Sequence, residues 1–368
     1  MLKSLDKKFL ILAGLIISFP IVTIILLSVL QGCQRSNDSY KDYEKKMTQA
    51  AMKYFKTNNL IPTVEGRTSK VSLSTLVSKN LIKDASKALK DSSCSGNVTV
   101  RLNGSSLEKN EGGFLNYIAN LKCKDYETPT ILGLTKQNVV TEGSGLYYFN
   151  GEYIFKGDKV KNYIRFYDKD YRILGITNDG LARLVGSESE SIMRMWDSKY
   201  NSEAKFAYGK TIYKDSLILG YLLDDYFNKK KINLEARKHL AAHDVCIGKR
   251  AKKDIRISKE IDCSDIIENQ LISIMTISDY FLASNDEECD SIISRTCNNY
   301  NYLYHVASST WTTNAVTDNT YEVFYVGGGN ASVLNANEYN YYNVVIYIDA
   351  NEKISSGSGT LEDPFIIN

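Results

Sequence analysis

The sequence predicts an α+β protein in three parts: an N-terminal transmembrane helix, a small α+β head, and a larger, strand-rich α+β domain. Three observations predict it. Phe9 to Leu30 runs without a charged residue and follows Lys3, Lys7 and Lys8. From Ser39 onward a single helical stripe gives way to alternating strand patterns. Six of the 7 cysteines fall in local pairs beyond the apolar run.

A helix needs about 20 apolar residues to cross a hydrocarbon core, which Phe9–Leu30 supplies. A cleavable signal has a shorter apolar run, so the stretch reads as an uncleaved anchor. The preceding lysines favour a cytoplasmic N-terminus and place the remainder outside the cell membrane, although Arg35, Lys41, Lys45 and Lys46 weaken the charge asymmetry. Cys94 with Cys123, Cys246 with Cys263, and Cys289 with Cys297 suit disulfides in an oxidising exterior. Proximity alone suggests these pairs, since six cysteines allow 15 connectivities. No C-x-x-C occurs and the spacings fit no zinc pattern. The formal net charge of +2 gives no electrostatic case for nucleic acid.

The order along the chain is residues 1–33 as tail and anchor, 34–124 as spine and head, 125–145 as linker, and 146–368 as the large domain. Tyr40, Tyr43, Met47, Ala50, Ala51 and Tyr54 form one apolar stripe of a helix from Ser39 to Asn58, ended by Asn58, Asn59 and Pro62. Ser72 caps a short helix carrying Leu73, Leu76 and Val77, and Asp84 to Lys90 supplies a third. Val98, Val100 and Leu102 alternate as a strand, Asn103-Gly104 turns, and Phe114–Cys123 returns. In the large domain Asn150-Gly151 joins Leu146–Phe149 to Glu152–Phe155 as a hairpin. Asn162–Tyr167 pairs with Tyr171–Ile176, and Asp179-Gly180 leads into Leu181–Val185. Asp215 caps one helix, and a second is expected from Asn233 to Asp244. Cys246 and Cys263 close a basic loop, Leu271–Ile277 is expected as a buried strand, and Tyr321–Val326, Val333-Leu334 and Val344–Ile348 complete the β pattern.

Two family resemblances attach to these motifs. The anchor, the Ala50-Ala51 and Tyr54-Phe55 helix, Pro62, Val71-x-Leu73-x-x-Leu76 and Leu81-Ile82 resemble bacterial pilin-like proteins. That implies a helical spine bearing a pilin-like head. The prepilin processing site is absent, so the resemblance implies shape over residues 9–124 and not polymerisation. Residues 146–368 resemble a C-type-lectin-like fold of bacterial envelope proteins, one shared with formylglycine-generating enzymes. The carriers are Tyr153-x-Phe155-x-Gly157, Asn162-Tyr163-x-x-Phe166, Arg172-Ile173-x-Gly175-Ile176 with Asp179-Gly180, Ser309-Thr310-Trp311-Thr312, and the tail Ser356–Thr360 with Asp363-Pro364-Phe365. Neither the enzymes' active-site cysteine motifs nor the calcium-dependent sugar motifs occur here, so no activity follows. Leu30-Gln31-Gly32-Cys33 resembles a lipobox and makes Cys33 a candidate for lipidation. The length of the apolar run favours a plain juxtamembrane cysteine over that reading.

Few residues carry a case for chemistry. His239 and His243, four apart on the expected helix, could share a zinc ion, but Leu240 stands where a general-base glutamate would be. Ser106-x-x-Lys109 lacks the companions of a serine–lysine dyad. Gly327–Gly329 lacks the Lys-Ser/Thr of a phosphate cradle and reads as a turn. The basic loop (Lys249, Arg250, Lys252, Lys253, Arg256 and Lys259) reads first as a solvated loop and second as a surface for anionic polymers or lipid. NNYNYLY (298–304) and NEYNYYN (337–343) have the make-up of recognition loops. Together with Trp311 they nominate Tyr300, Tyr302, Tyr304, Tyr339, Tyr341 and Tyr342 as a ligand surface. The expected function is a non-catalytic, membrane-anchored extracytoplasmic binding or adhesion protein, with no cofactor and a carbohydrate or protein ligand. The rivals are a pilin-like assembly subunit and an exported enzyme on the formylglycine-generating fold.

Overall fold

The computed structural model of the chain describes residues 38–103, 114–137, 139–229, 231–307 and 309–367. It is a mixed α+β protein dominated by strands. The anchor stretch, Cys33, the Asn103-Gly104 turn and the Ser106–Lys109 pair fall outside these residues in whole or part. Among the described residues no helix is long and apolar enough to cross a membrane.

Helix α1 (Tyr40–Thr57) starts at Ser39, whose hydroxyl accepts from the Asp42 amide. Its stripe of Tyr43, Met47, Ala50, Ala51 and Phe55 is buried against strands β1 (Thr68–Ser72), β2 (Ser95–Asn103) and β3 (Phe114–Lys122). These pair antiparallel in the order β1-β2-β3. Their inward residues Val71, Val98, Val100 and Leu121 close one core with Leu73 and Leu76 of α2 (Leu73–Ser78). Ser72 caps α2, and Asp84 caps the short α3 (Ala85–Ala88). β1 was not legible: TSKVS carries one buried residue and no alternation. The Cys94–Cys123 disulfide ties the segment before β2 to the end of β3.

The larger part begins within the stretch read as a linker. There α4 (Ile131–Lys136), capped by Thr130, buries Ile131 in the second core. The hairpin β4 (Gly145–Phe149) and β5 (Glu152–Lys156) turns at Asn150 and Gly151, with φ of 51° and 87°. Both central residues are left-handed, as a type I′ turn requires. β6 (Tyr163–Phe166), β7 (Lys169–Ile176) and β8 (Leu181–Gly186) follow as a meander. Helix α5 (Leu217–Leu223) is capped by Ser216, one residue after the expected Asp215. The main sheet is completed by β12 (Ile272–Ile274), β17 (Val344–Asp349) and β18 (Phe365–Ile367); its order is β12-β17-β8-β7-β5-β4, with β6 on β7 and β18 parallel to β6. A second sheet holds β13 (Ser309–Ala315), β14 (Glu322–Gly327) and β15 (Asn330–Asn335).

Two expectations are corrected here. The helix expected over Asn233–Asp244 is only α6 (Leu234–Arg237). Beyond it, Leu240 bridges Ile348 and the Ala241 amide donates to Tyr347, so backbone pairing with β17 overrides helical propensity. His243 then begins β10 (His243–Cys246), which pairs with β11 (Ile266–Gln270). The strand expected over Leu271–Ile277 stops at Ile274, because Thr276 and Asp279 form a capping box that starts α8 (Ile277–Phe281).

The two hydrophobic cores are separate, and polar contacts join them. Arg101 of β2 pairs with Asp349 at 3.2 Å, and Asn116 donates to Glu352 at 2.5 Å. The buried Glu44 of α1 reaches Lys353. His239 Nδ1 lies 2.8 Å from Glu352.

Candidate functional site

The sheet fixes one face of a groove of about 610 Å³, a size that small ligands occupy. In the β6–β7 pair Tyr163 stands directly opposite Arg172, and its ring stacks on the guanidinium at 3.7 Å. Asn162, itself wholly buried, accepts from Arg172 Nε at 2.6 Å and donates to the Ile173 carbonyl. The other face comes from the 298–306 loop, whose Tyr302 lays its ring 4.8 Å from the same guanidinium. Asn301 anchors that loop by donating to the Tyr280 and Cys297 carbonyls, and the Cys289–Cys297 disulfide closes the segment before it.

Gly157 sets the distance between the two faces. The Tyr302 amide donates to its carbonyl, while its own amide donates to Ala283. Its φ is 106°, and a Cβ there would fall 2.2 Å from Ser144 Oγ. Only glycine fits both demands.

Tyr300 and Tyr304 line the groove and are exposed, Tyr300 at 60%. Tyr300 adopts φ 46°, a left-handed conformation that a bulky side chain rarely takes. Asp158 and Glu188 add carboxylates to the lining, and His305 an imidazole. Asp170 also lines it but is held by Arg165 at 2.7 Å. Burial pulls the Arg172 guanidinium below its ordinary value, against the opposing effect of the two tyrosines. The same burial pushes the Tyr302 hydroxyl up. An arginine so placed still keeps its charge at neutral pH.

The nominated aromatic surface therefore divides. Tyr300, Tyr302 and Tyr304 meet at the groove. Trp311 is wholly buried in β13, its indole N–H donating to the Arg194 carbonyl at 2.9 Å, and Tyr342 is buried as well. Both are core residues and offer no ligand surface. Tyr339 is exposed and Tyr341 half-buried, on or beside β16 (Tyr339–Asn340), and neither lines the groove. Sequence reasoning missed Tyr163, Arg172, Asp158 and Glu188. The available signal was Arg172 itself, a lone charge inside the apolar run Tyr171–Ile176.

The remaining candidates resolve into structural roles. His239 and His243 do not share a ligand: the first pairs with Glu352, and the second lies 3.6 Å from Asp179. The nearby His243 imidazole, with the Thr177 hydroxyl, holds the Asp179 carboxyl down at about 2. Four of the six cations of the basic loop are paired with carboxylates. Arg250 is fully buried against Asp262, Lys259 pairs with Glu152, Lys252 with Glu322 and Arg256 with Asp254. Gly327–Gly329 is part of the turn between β14 and β15. Asp91, Cys94 and Cys123 come together, but the two cysteines are bonded to each other and leave no metal site. All three proposed cysteine pairs are disulfides.

Comparison with protein-family models, curated proteins and solved structures finds no match to this chain.

Proposed function

We propose that this chain is a non-catalytic, membrane-anchored extracytoplasmic binding protein of a bacterial envelope, and that the tyrosine-lined groove is its ligand site. Phe9–Leu30 would hold it in the membrane, a pilin-like head would carry the large domain outward, and that domain would follow the C-type-lectin-like pattern. The observation that carries the binding role is the groove, where exposed Tyr300 and Tyr304 rings stand beside the carboxylates of Asp158 and Glu188. Flat aromatic faces beside hydrogen-bonding groups suit a sugar ring. The three disulfides support an oxidising exterior. Burial of the α1 stripe within its own head supports a binder over assembly through that stripe.

The test is a glycan panel probed with the full chain in detergent, beside a Tyr300→Ala variant. Retention of a glycan class by the wild type and its loss in the variant is the expected result. Silence across the panel, with filaments seen by electron microscopy, would move the assignment to an assembly subunit.

A further inference from the structure

Of the two arginines buried among the described residues, Arg250 has a carboxylate partner and Arg172 has none. Arg172 is 4% exposed, and its one hydrogen bond among the described residues is from Nε to Asn162. Burying a guanidinium without an anion carries a desolvation penalty that two tyrosine faces and one amide offset only in part. The same contacts fix its geometry. Tyr163 at 3.7 Å and Tyr302 at 4.8 Å set the plane, and Asn162 takes the Nε edge. The terminal nitrogens meet no acceptor among the described residues, and Arg172 lines the groove. A planar fork held this way matches a carboxylate through two parallel hydrogen bonds.

A bare anion would also meet Glu188 and Asp158 in the groove, which repel it. A ligand carrying both an anion and hydroxyl donors satisfies both signs. The strained Tyr300 at φ 46° offers its ring at the rim, where a pyranose face could rest.

We infer that the groove takes an acidic carbohydrate of the uronic-acid type, its carboxylate on the terminal nitrogens of Arg172 and its hydroxyls donating to Glu188 and Asp158. The inference rests on the binding-module reading above and names the ligand class for that site. Binding is non-covalent, and the groove changes no bond.

The test uses the full chain in detergent with fluorescently labelled tetragalacturonate, the matching neutral galactose oligomer, and a short peptide with a free or amidated C-terminus. The acidic oligomer is expected to bind more than about tenfold tighter than the neutral one, the scale of a charge-assisted pair. That preference should vanish in Arg172→Met and weaken in Arg172→Lys, while Glu188→Gln should weaken the acidic oligomer's hydroxyl contacts without restoring the neutral one. If neither arginine variant folds, the wild-type preference for the acidic oligomer, together with weaker binding of that oligomer by the surface variant Tyr300→Ala, decides the matter. Equal binding of acidic and neutral oligomers would overturn the inference and leave the binding module standing. Failure of every glycan would overturn both. Preference for the free peptide carboxylate over the uronate would keep Arg172 as an anion seat and overturn the sugar assignment.

Discussion

Arg250 and Arg172 are the same residue type at nearly the same burial, and they do opposite things. Arg250 is enclosed: Nε meets Asp262 at 2.7 Å, its terminal nitrogens reach the Arg256 and Ser258 carbonyls, and Asp262 takes the Ser278 amide with its other oxygen. Every partner belongs to the chain, so the group knots the Cys246–Cys263 loop to α8. Arg172 is held in place but left open, with two aromatic faces and one amide, and a groove where an anion would sit. Burial of a charge is therefore no guide to its role. Whether the chain itself supplies the counter-charge separates a structural arginine from one set aside for a ligand.

That comparison can be broken by stability measurements without any ligand. Arg250→Met orphans Asp262 in the core, where burial already pushes its carboxyl upward, and should cost about 3–5 kcal/mol in urea unfolding. Arg172→Met orphans no opposite charge, only the buried Asn162 carbonyl oxygen, and should cost about 1–2 kcal/mol, less than Arg250→Met. Equal losses in the two variants would end the distinction. Replacing Cys246 and Cys263 by serine together frees the loop that presents Arg250 and should cost about 3 kcal/mol. Tyr300→Gly relieves the left-handed strain and should stabilise the fold by about 1 kcal/mol while weakening ligand binding, a split that a purely structural tyrosine would not show.

The smallest effect lies between the two cores. Burial lowers the His239 pKa, but the hydrogen bond and charge of Glu352 outweigh it and the net shift is upward. A raised folded pKa means that the contribution is full below the unfolded value near 6.5 and fades as pH rises through the folded one. The stability difference between wild type and His239→Gln should shrink as the pH rises above the unfolded value near 6.5. A difference that grew over that range would contradict the pairing.

Legibility in the sequence followed the range of the interaction. Ser39, Ser72 and Asp84 announced their helices because a cap acts within three residues. Asn150-Gly151 announced its hairpin for the same reason. Leu240–Ala242 could not be placed, since their partner β17 lies about a hundred residues away and nothing local forbids the helix. The pairing in the basic loop is illegible locally, since Glu152 and Glu322, which hold Lys259 and Lys252, come from elsewhere in the fold. The groove was half legible. NNYNYLY named three of its tyrosines, but Tyr163 and Arg172 emerge only once β6 and β7 are in register.

The most direct measurement of the central claim is hydrogen exchange on the full chain with and without the acidic oligomer. Slower exchange is expected in peptides covering 157–172 and 298–306, the two faces of the groove, and unchanged exchange at 249–259. Protection confined to the 249–259 loop, or no protection anywhere while the oligomer binds, would contradict the assignment of the ligand to Arg172.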